Sequence, residues 1–369
     1  MPKLYDDIQM NTELRLFPKI RNIPEKQPKS FVLFPYEMWE KRRESFEIKE
    51  AESLELIVNH FKVFKNPHIM TSHGMDSVVL CHLAIRACQI LDKPLPAFWL
   101  NNTLNLFKEE KQYWELINNF LGISDKFKIF MPPKENGRYE TVWTIADKVG
   151  HLPSFRKTAR HKSMSYKHTN TPECCDILKK KSVKDYLKDL PINERYDLVL
   201  IGTRAQESQM RSLGVLQRCR SYLQKTRTPY PKQVLTPLSF WHSEDIQEYY
   251  KMYNIPKNPT YEIHNIQRMG CASCPAHIGW EVRLASDPTE DGFGMLKQNL
   301  KIMYETIQRK TEDFERLEQS IKLLQKYLKS EESQSVLSSV MQERIINLIS
   351  YYEPLLALHN HSNVIGDMK

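Results

Sequence analysis

The chain has 369 residues and a formal net charge of +8; 41% of its residues are hydrophobic and 27% are charged. This length fits one large domain with an appendage, or two domains, and the composition allows a substantial core. No apolar run is long enough to cross a bilayer, and the N-terminus lacks the basic-then-apolar order of a secretory signal, so we expect a cytoplasmic protein with no membrane partner. In that compartment, the seven cysteines would serve metals or catalysis more often than disulfides.

The first half of the chain predicts an arm followed by alternating strands and helices. Residues 1–35 read as an irregular lead-in, and residues 35–64 follow a helical pattern. Predicted strands occupy residues 68–71, 97–100, 127–130 and 197–202, and predicted helices occupy residues 78–91, 107–121 and 139–149. Strands that alternate with helices indicate an α/β fold with a doubly wound, mainly parallel sheet that is covered on both faces.

Two segments depart from this alternation. Residues 151–190 form a basic insertion that leads into a helix at about 177–190, and we expect its Lys179–Lys181 run to be a solvated surface. Beyond residue 292 the pattern predicts two long helices, 293–328 and 336–359, as a C-terminal extension that could mediate a homodimer. The predicted divisions are therefore residues 1–64, 65–290 and 291–369.

Two cysteine pairs are the strongest chemical signal. Cys174 and Cys175 are adjacent, while Cys271 and Cys274 form a CxxC motif. Together they supply four thiolates, enough for one tetrahedral metal ion or one cluster. Adjacent side chains tend to diverge, which suits two irons of a cubane better than one zinc ion. We therefore favour an iron–sulfur cluster over structural zinc, and we expect the four sulfurs to meet in the fold.

The first predicted strand leads into a loop that is typical of a phosphate site. The segment Ser72–Ser77 places small hydroxyl residues and Gly74 between a strand and a helix. Backbone N–H groups and the positive end of a helix can face an anion in such a turn, with Ser72, Gly74 and Ser77 as its lining. The alternative is that Ser72 or Asp76 only caps the helix.

The ordered set of motifs resembles the phosphoadenylyl-sulfate (PAPS) and adenylyl-sulfate reductase family of the PP-loop, or adenine-nucleotide alpha-hydrolase, superfamily. The resemblance covers roughly residues 65–285 and implies a PP-loop (HUP-like) fold. The matching motifs are Ser72–Ser77; Asn102-Thr103 with Phe107 and Glu109; Cys174-Cys175; Gly202–Ser208 with Arg211; and Pro237-Leu238 with Trp241, Ile255–Pro259, Gly270-Cys271 and Cys274.

The sequence departs from that family at four points. His73 and Met75 stand where the pyrophosphatase-type loop has a glycine and usually a lysine, and Asn102 stands where the family has an aspartate. No cysteine follows Cys274, whereas the reductases use a C-terminal cysteine as their nucleophile. The loop lacks the charge that could stabilise a leaving pyrophosphate, and Asn102 weakens a metal or ribose role at that position. The missing cysteine leaves a reductase without its thiosulfonate carrier, which favours sulfur incorporation over reduction.

Within the family, DNA phosphorothioation proteins of the DndC and SspD type are the best fit. The resemblance implies that ATP, with Mg²⁺, adenylylates a DNA phosphate, and that sulfur from a cysteine desulfurase then displaces AMP with the help of a 4Fe-4S cluster. The implied nucleotide-binding residues are Ser72, His73, Gly74, Met75, Asp76, Ser77, Asn102, Thr103, Gly202 and Arg204; the implied catalytic residues are Asp76, Arg204, Glu207 and Arg211; the implied cluster ligands are Cys174, Cys175, Cys271 and Cys274.

Several alternatives stay open on the sequence alone. The chain could be a relative of adenylyl-sulfate reductase that acts on a small molecule, a tRNA thiolase, or a non-enzymatic sensor of nucleotide and cluster. Glu207 could orient an arginine or a ribose, or it could cap a helix. Cys219, between two arginines, could be a reactive thiolate or an inert thiol. Cys81 and Cys88 lie on one apolar helix and are expected in the core.

Overall fold

A computed structural model describes residues 31–149, 173–191, 194–224, 232–264, 266, 269–274, 279–308 and 315–366. The first thirty residues of the predicted arm and most of the predicted basic insertion, up to residue 172, lie outside the described residues.

The described helices and strands alternate as expected through the first half of the chain. The strands are β1 Pro67–Thr71, β2 Ala97–Asn101, β3 Phe127–Phe130, β4 Lys134–Glu135, β5 Arg138–Tyr139, β6 Leu198–Ile201, β7 Ser221–Gln224 and β8 Lys232–Leu235. The helices are α1 Pro35–Arg43, α2 Phe46–Val63, α3 Met75–Leu91, α4 Glu109–Leu121, α5 Val142–Val149, α6 Ser182–Asp189, α7 Gln209–Arg218, α8 Ser243–Met252, α9 Thr260–Ile263, α10 Trp280–Ala285, α11 Glu290–Gln308, α12 Glu315–Leu328, α13 Glu331–Val336 and α14 Ser339–Gly366.

The central sheet has six strands in the order β3-β2-β1-β6-β8-β7. β1 pairs in parallel with β2 on one side and with β6 on the other, and β6 pairs in parallel with β8. β7 runs antiparallel to β8 and forms one edge. This arrangement confirms the predicted mainly parallel α/β fold. The sequence did not predict β7 and β8, because these strands are short and β7 carries only half-buried and exposed residues.

Contacts between Cα atoms divide the chain into two compact units. The first unit comprises residues 1–100, 114–128 and 190–257. Its core is lined by fully buried side chains from β1, β6 and α3, such as Ile69, Leu200 and Leu83. The continuous apolar character of α3 follows from this position, since Val78, Val79 and Leu80 are all inaccessible to solvent.

The second unit comprises residues 101–113, 129–189 and 258–369. Its largest buried cluster joins α10, α11, α12 and α14 through residues such as Trp280, Leu300, Leu324 and Ile345. The first long helix that the sequence predicts spans the range of α11 and α12, and the second corresponds to α14. The sequence did not predict the short helix α13, whose start Ser330 caps by accepting the N–H of Ser333.

Within the described ranges, no helix combines the length and the apolar character that crossing a membrane requires.

Candidate functional site

The predicted phosphate loop joins β1 to α3 in the first unit. The Ser77 hydroxyl donates a hydrogen bond to the carbonyl of Gly74 at 2.8 Å and accepts the N–H of Ser72 at 3.2 Å. Gly74 is the N-terminal cap of α3 in extended conformation, so the helix starts at Met75. The strand, turn and helix are therefore present as predicted, and the first N–H groups of a 17-residue helix lie at the loop. Neither Ser72 nor Asp76 is the cap.

His73 anchors this loop in the protein interior. Its backbone takes a left-handed conformation, with φ of 51°, and the residue is only 1% exposed. Its Nε2 donates to Asn118 Oδ1 at 3.1 Å, and its ring stacks on Phe127 with centroids 5.1 Å apart. Burial lowers the pKa of His73 to about 4. The His73 side chain thus fixes the loop to buried residues. The backbone N–H of His73 also donates to Thr71 Oγ1 at 3.1 Å.

Two arginines after β6 are paired with carboxylates of the same unit. Arg204 Nε lies 2.8 Å from Asp76 Oδ1, an ion pair in which the N–H is not aimed at the oxygen. Arg211 forms an ion pair with Glu207. Glu207 also accepts the N–H of Arg204 at 3.0 Å and so closes the turn Ala205–Glu207. Glu207 therefore caps this turn and orients an arginine at once, which were separate alternatives on the sequence.

Gly202 allows the end of β6 to approach the phosphate loop. A Cβ atom at Gly202 would lie 3.0 Å from the carbonyl oxygen of Asp76 and 3.2 Å from Cα of Ser77. Both contacts are with backbone, which cannot move aside cheaply. The family-like glycine therefore has a packing reason at this position. Met75, at the start of α3, is held on the other side, where its carbonyl accepts the Tyr250 hydroxyl at 3.5 Å.

The second unit contains the four cysteines proposed as cluster ligands. All seven cysteines lie among the described residues, and none forms a disulfide. Cys174 lies within electrostatic range of Cys271 and Cys274, and Cys271 lies within range of Cys175. The two pairs therefore share one region of the second unit, although they are almost a hundred positions apart in sequence. Among the described residues, no group of three or more His, Cys, Asp or Glu side chains is arranged to hold a single metal ion.

Lys179 is the charged partner of these thiols. It follows the Cys pair on the π-helical turn Asp176–Lys181, a geometry that often marks functional sites. Burial opposes its charge, but the negative charges of all four thiols raise the pKa of Lys179 above its usual range. The prediction of a solvated surface at Lys179–Lys181 is wrong for Lys179, which is half-buried, while Lys180 and Lys181 are exposed. Only its spacing of four residues from Cys175 could have signalled this role.

Hydrogen bonding divides the adjacent pair into unequal thiols. Cys174 is buried, and its hydrogen bond to Cys175 lowers the pKa of Cys175 to about 6, with Lys179 adding to the effect. The same interaction and burial raise the pKa of Cys174. Cys175 is therefore the readily ionised member of the pair, and a thiolate is the form that binds metals.

Asn102 and Thr103 belong to the second unit rather than to the phosphate loop's unit. Asn102 Oδ1 accepts the N–H of Leu104 at 2.8 Å, which stabilises a turn where Leu104 has φ of 57°. Thr103 Oγ1 lies 3.2 Å from the sulfur of Cys271. The side chain of Thr103 therefore contacts a candidate ligand thiol, a contact the sequence reasoning did not anticipate. Their predicted role in nucleotide binding stays a prediction.

The three remaining cysteines differ chemically from Cys174, Cys175, Cys271 and Cys274, which we call the thiol quartet. Cys81 and Cys88 are buried in α3, as expected for core residues, and burial raises the pKa of Cys81 to about 12. Cys219 is half-buried at the end of α7 with φ of 54°. Its neighbour Arg220 is committed to the core, where it donates to Ser53 Oγ and to the carbonyl of Pro237, each at 3.0 Å.

Three comparisons with known proteins show what the chain is similar to. The model of the phosphoadenosine phosphosulfate reductase domain matches residues 66–277. The chain is similar to the phosphoadenylyl-sulfate reductase of Candida auris in its phosphate complex, with 15% identity, a TM-score of 0.41, and coverage of 66% of this chain and 97% of that one. It is also similar to the U34-tRNA thiolase NcsA of Methanococcus maripaludis with its 4Fe-4S cluster, with 15% identity, a TM-score of 0.35, and coverage of 70% and 80%. The NAD⁺ synthetase of Burkholderia pseudomallei is 11% identical, with a TM-score of 0.35 and coverage of 73% and 96%. No curated protein matches the sequence.

Proposed function

Because the chain belongs to the phosphoadenosine phosphosulfate reductase domain family, we propose that it uses ATP to activate a DNA backbone phosphate and then places sulfur on that phosphate, as proteins of the DndC and SspD type do. The observation that carries the proposal is the set of four interacting thiols around Lys179. A nucleotide-binding fold equipped with such a thiol set is suited to sulfur transfer, because thiolates bind the iron or zinc that handles sulfur.

In the first unit, the phosphate loop would hold the nucleotide. The first N–H groups of α3 and the hydroxyls of Ser72 and Ser77 can donate to phosphate oxygens. Met75 brings no charge, so the positive charge at this site must come from Arg204 and Arg211. Both arginines are paired with carboxylates, and phosphate oxygens would compete with Asp76 for Arg204. Asp76 would then be available to Mg²⁺ that arrives with ATP.

The proposed reaction has two displacements. A non-bridging oxygen of the DNA phosphate attacks the α-phosphorus of ATP, and the bond to pyrophosphate breaks. A dithiol reduces the persulfide formed by the cysteine desulfurase by two electrons and releases hydrosulfide, which then attacks the activated DNA phosphorus. AMP leaves with the bonding electron pair, the proton of the hydrosulfide passes to solvent, and sulfur stays on the DNA phosphorus. Both steps bring anions together, and Arg204 and Arg211 would lower their barriers by stabilising the charge that develops on phosphate oxygens.

In the second unit, Cys174, Cys175, Cys271 and Cys274 fit a 4Fe-4S cluster, because the donor set is all sulfur and Lys179 offsets part of its negative charge. A cluster bound there would supply an iron centre able to receive sulfur from a cysteine desulfurase. Cys175 is ready to bind metal as a thiolate at neutral pH, since its pKa lies at about 6.

The test begins with anaerobic purification and analysis of iron, sulfide and zinc. Pyrophosphate release from ATP is then measured with DNA, with tRNA and without an acceptor. Each reaction contains a cysteine desulfurase, the dithiol reductant and cysteine labelled with ³⁵S. We expect bound iron and sulfide, pyrophosphate release that DNA stimulates, and ³⁵S in the DNA. A Cys271→Ser variant should lose iron, while Cys88→Ser, which removes a buried thiol outside the quartet, should retain it.

Other outcomes separate the competing functions. Stimulation by tRNA alone would identify a tRNA thiolase. Release of sulfite from adenylyl sulfate with thioredoxin would identify a reductase. Nucleotide binding without pyrophosphate release under all these conditions would reject an enzyme of this kind and favour a sensor.

A further inference from the structure

The residues around the CxxC motif lie along the segment that follows β2. In the second unit, Thr103 contacts Cys271 through its hydroxyl at 3.2 Å, and Asn105 accepts the N–H of Ala272 at 2.8 Å. The Asn105 side chain also accepts the Ser273 hydroxyl at 3.1 Å. These contacts fix both the backbone and the side chains between the two cysteines of the motif.

An apolar contact extends the same alignment. Phe107 packs with Ile266 and Ala272 in one buried cluster, and Ala272 is only 1% exposed. The segment from Thr103 to Phe107 runs in one direction along the chain. The residues that it contacts, from Cys271–Ser273 to Ile266, follow in the opposite direction. The CxxC motif is thus held against residues 103–107 before any metal is considered.

His264 ends this alignment with two carboxylates. Its Nε2 lies 2.9 Å from Glu109 Oε2, and its Nδ1 lies 2.7 Å from Asp287 Oδ2. The side chain is 1% exposed, and the side chains of Glu109 and Asp287 are 11% and 3% exposed. Each ring nitrogen of His264 therefore has a carboxyl partner within hydrogen-bond distance, and these contacts are almost completely removed from solvent.

The carboxylates that hold His264 are themselves fixed. Asp287 Oδ1 accepts the backbone N–H of Thr289 at 2.9 Å and its hydroxyl at 2.6 Å, at the turn before α11. Glu109 is the first residue of α4, directly beyond the segment on which the CxxC motif lies. Phe107 covers the ring of His264, with centroids 4.4 Å apart. The imidazole therefore joins three segments of one unit at one buried point.

We propose that His264 is a positioning residue: bonded to both Glu109 and Asp287, it holds residues Gly270–Cys274 against the Thr103–Glu109 segment and so presents both CxxC thiols before metal is bound. This deepens the proposed function only in taking those thiols as functional. On this proposal, the protein itself, and not a bound cluster, fixes the conformation of two of the four candidate ligands, Cys271 and Cys274.

The test measures backbone hydrogen exchange by mass spectrometry in the metal-free full-length chain, without nucleotide or DNA. In His264→Gln, we expect amides of Gly270–Cys274 to exchange about tenfold faster or more, because their local opening becomes easier. The matched control is His60→Gln in the first unit. His60 is also bonded at both nitrogens, to the carbonyl of Leu56 and to Ser221 Oγ, each at 2.8 Å. This control should leave Gly270–Cys274 unchanged.

Unchanged exchange at Gly270–Cys274 in His264→Gln would overturn the proposal, as would an equal increase throughout both units. A second measurement needs no variant and guards against misfolding. In the metal-free wild-type chain, the amide of Ala272, which donates to the carbonyl of Asn105, should exchange at least about tenfold more slowly than an unstructured amide. Unprotected exchange at Ala272 would overturn the proposal. Neither readout depends on ATP or sulfur transfer, so failure here is distinct from failure of the proposed function.

Discussion

The phosphate loop and the thiol quartet are built in opposite ways. In the loop, Thr71 and Ser77 are six residues apart and bond to each other directly. At the quartet, Thr103 contacts Cys271, although these two residues are 168 positions apart in sequence. The loop's geometry is therefore a property of one short segment, whereas the quartet exists only when three distant segments have folded together.

The two sites also differ in how their charges are balanced. Near the loop, Arg204 and Arg211 are each neutralised by a carboxylate. Around the quartet, the positive charge of Lys179 faces thiols, which gain their negative charge only on ionisation. The first site is thus prepared to exchange partners when an anion binds. In the second, the hydrogen bond from Cys174 and the charge of Lys179 lower the pKa of Cys175, whereas burial raises the pKa of Cys271.

The largest expected effect tests how firmly the loop is anchored. The pKa of His73 is about 4 in the folded chain, below its usual 6.5, so its contribution to stability is complete above pH 6.5 and is lost as pH falls towards 4. This loss amounts to about 3 kcal/mol for a shift of this size. Urea unfolding between pH 7 and 4 should show a shallower loss of stability in His73→Asn than in the wild type. If the free energy of unfolding fell equally with pH in both proteins, the buried, neutral state of the His73 ring would be contradicted.

A middle effect tests the close approach of β6 to the loop. Gly202→Ala should destabilise the chain by about 2 kcal/mol, because the new methyl group meets the backbone of Asp76 and Ser77. Gly294→Ala is the matched control, since a Cβ there meets nothing within 4 Å and alanine favours a helix by about 0.5 to 1 kcal/mol. Denaturant midpoints measure both. Equal midpoints for the two variants would remove the packing reason for Gly202.

The smallest expected effect tests the charge balance of the quartet. Lys179→Gln should raise the pKa of Cys175 from about 6 by about one unit, because a nearby positive charge is removed. The rate of Cys175 alkylation against pH, followed by mass spectrometry in the metal-free chain, reports this value. Lys181→Gln changes an exposed lysine of the same turn and should leave the profile in place. If the pKa of Cys175 shifted equally in both variants, Lys179 would not act on Cys175 more strongly than Lys181 does, and the prediction would be wrong.

Much of the fold could be predicted from local patterns. The strands at residues 68–71 and 127–130 and the helices around residues 78–91 and 107–121 appear within a few residues of their predicted bounds. Their patterns are long or strongly apolar, and the backbone follows them. The short helix α13 was missed because its signal is a single serine cap between two long helical patterns.

The site could be predicted only in part. The serines and Gly74 of the loop are where the motif requires them, since their partners lie within the same few residues. The direction of the His73 ring could not be predicted, because it depends on Asn118 and Phe127. The sequence marks His264 by its place before the CxxC motif, as a group near the ligands or on the surface and not as a ligand. Its contacts with Glu109 and Asp287 could not be predicted, because both partners are remote in sequence.

The sequence by itself determined the order of most strands and helices and the phosphate turn, and it predicted the four thiols as a set. Only the tertiary structure decided that Lys179 interacts with all four of those thiols, and that Glu207 both caps its turn and holds Arg211. Backbone conformation follows from neighbouring residues through sterics and hydrogen bonding. The partner of a buried charge is set by packing between segments that the chain brings together only when it folds.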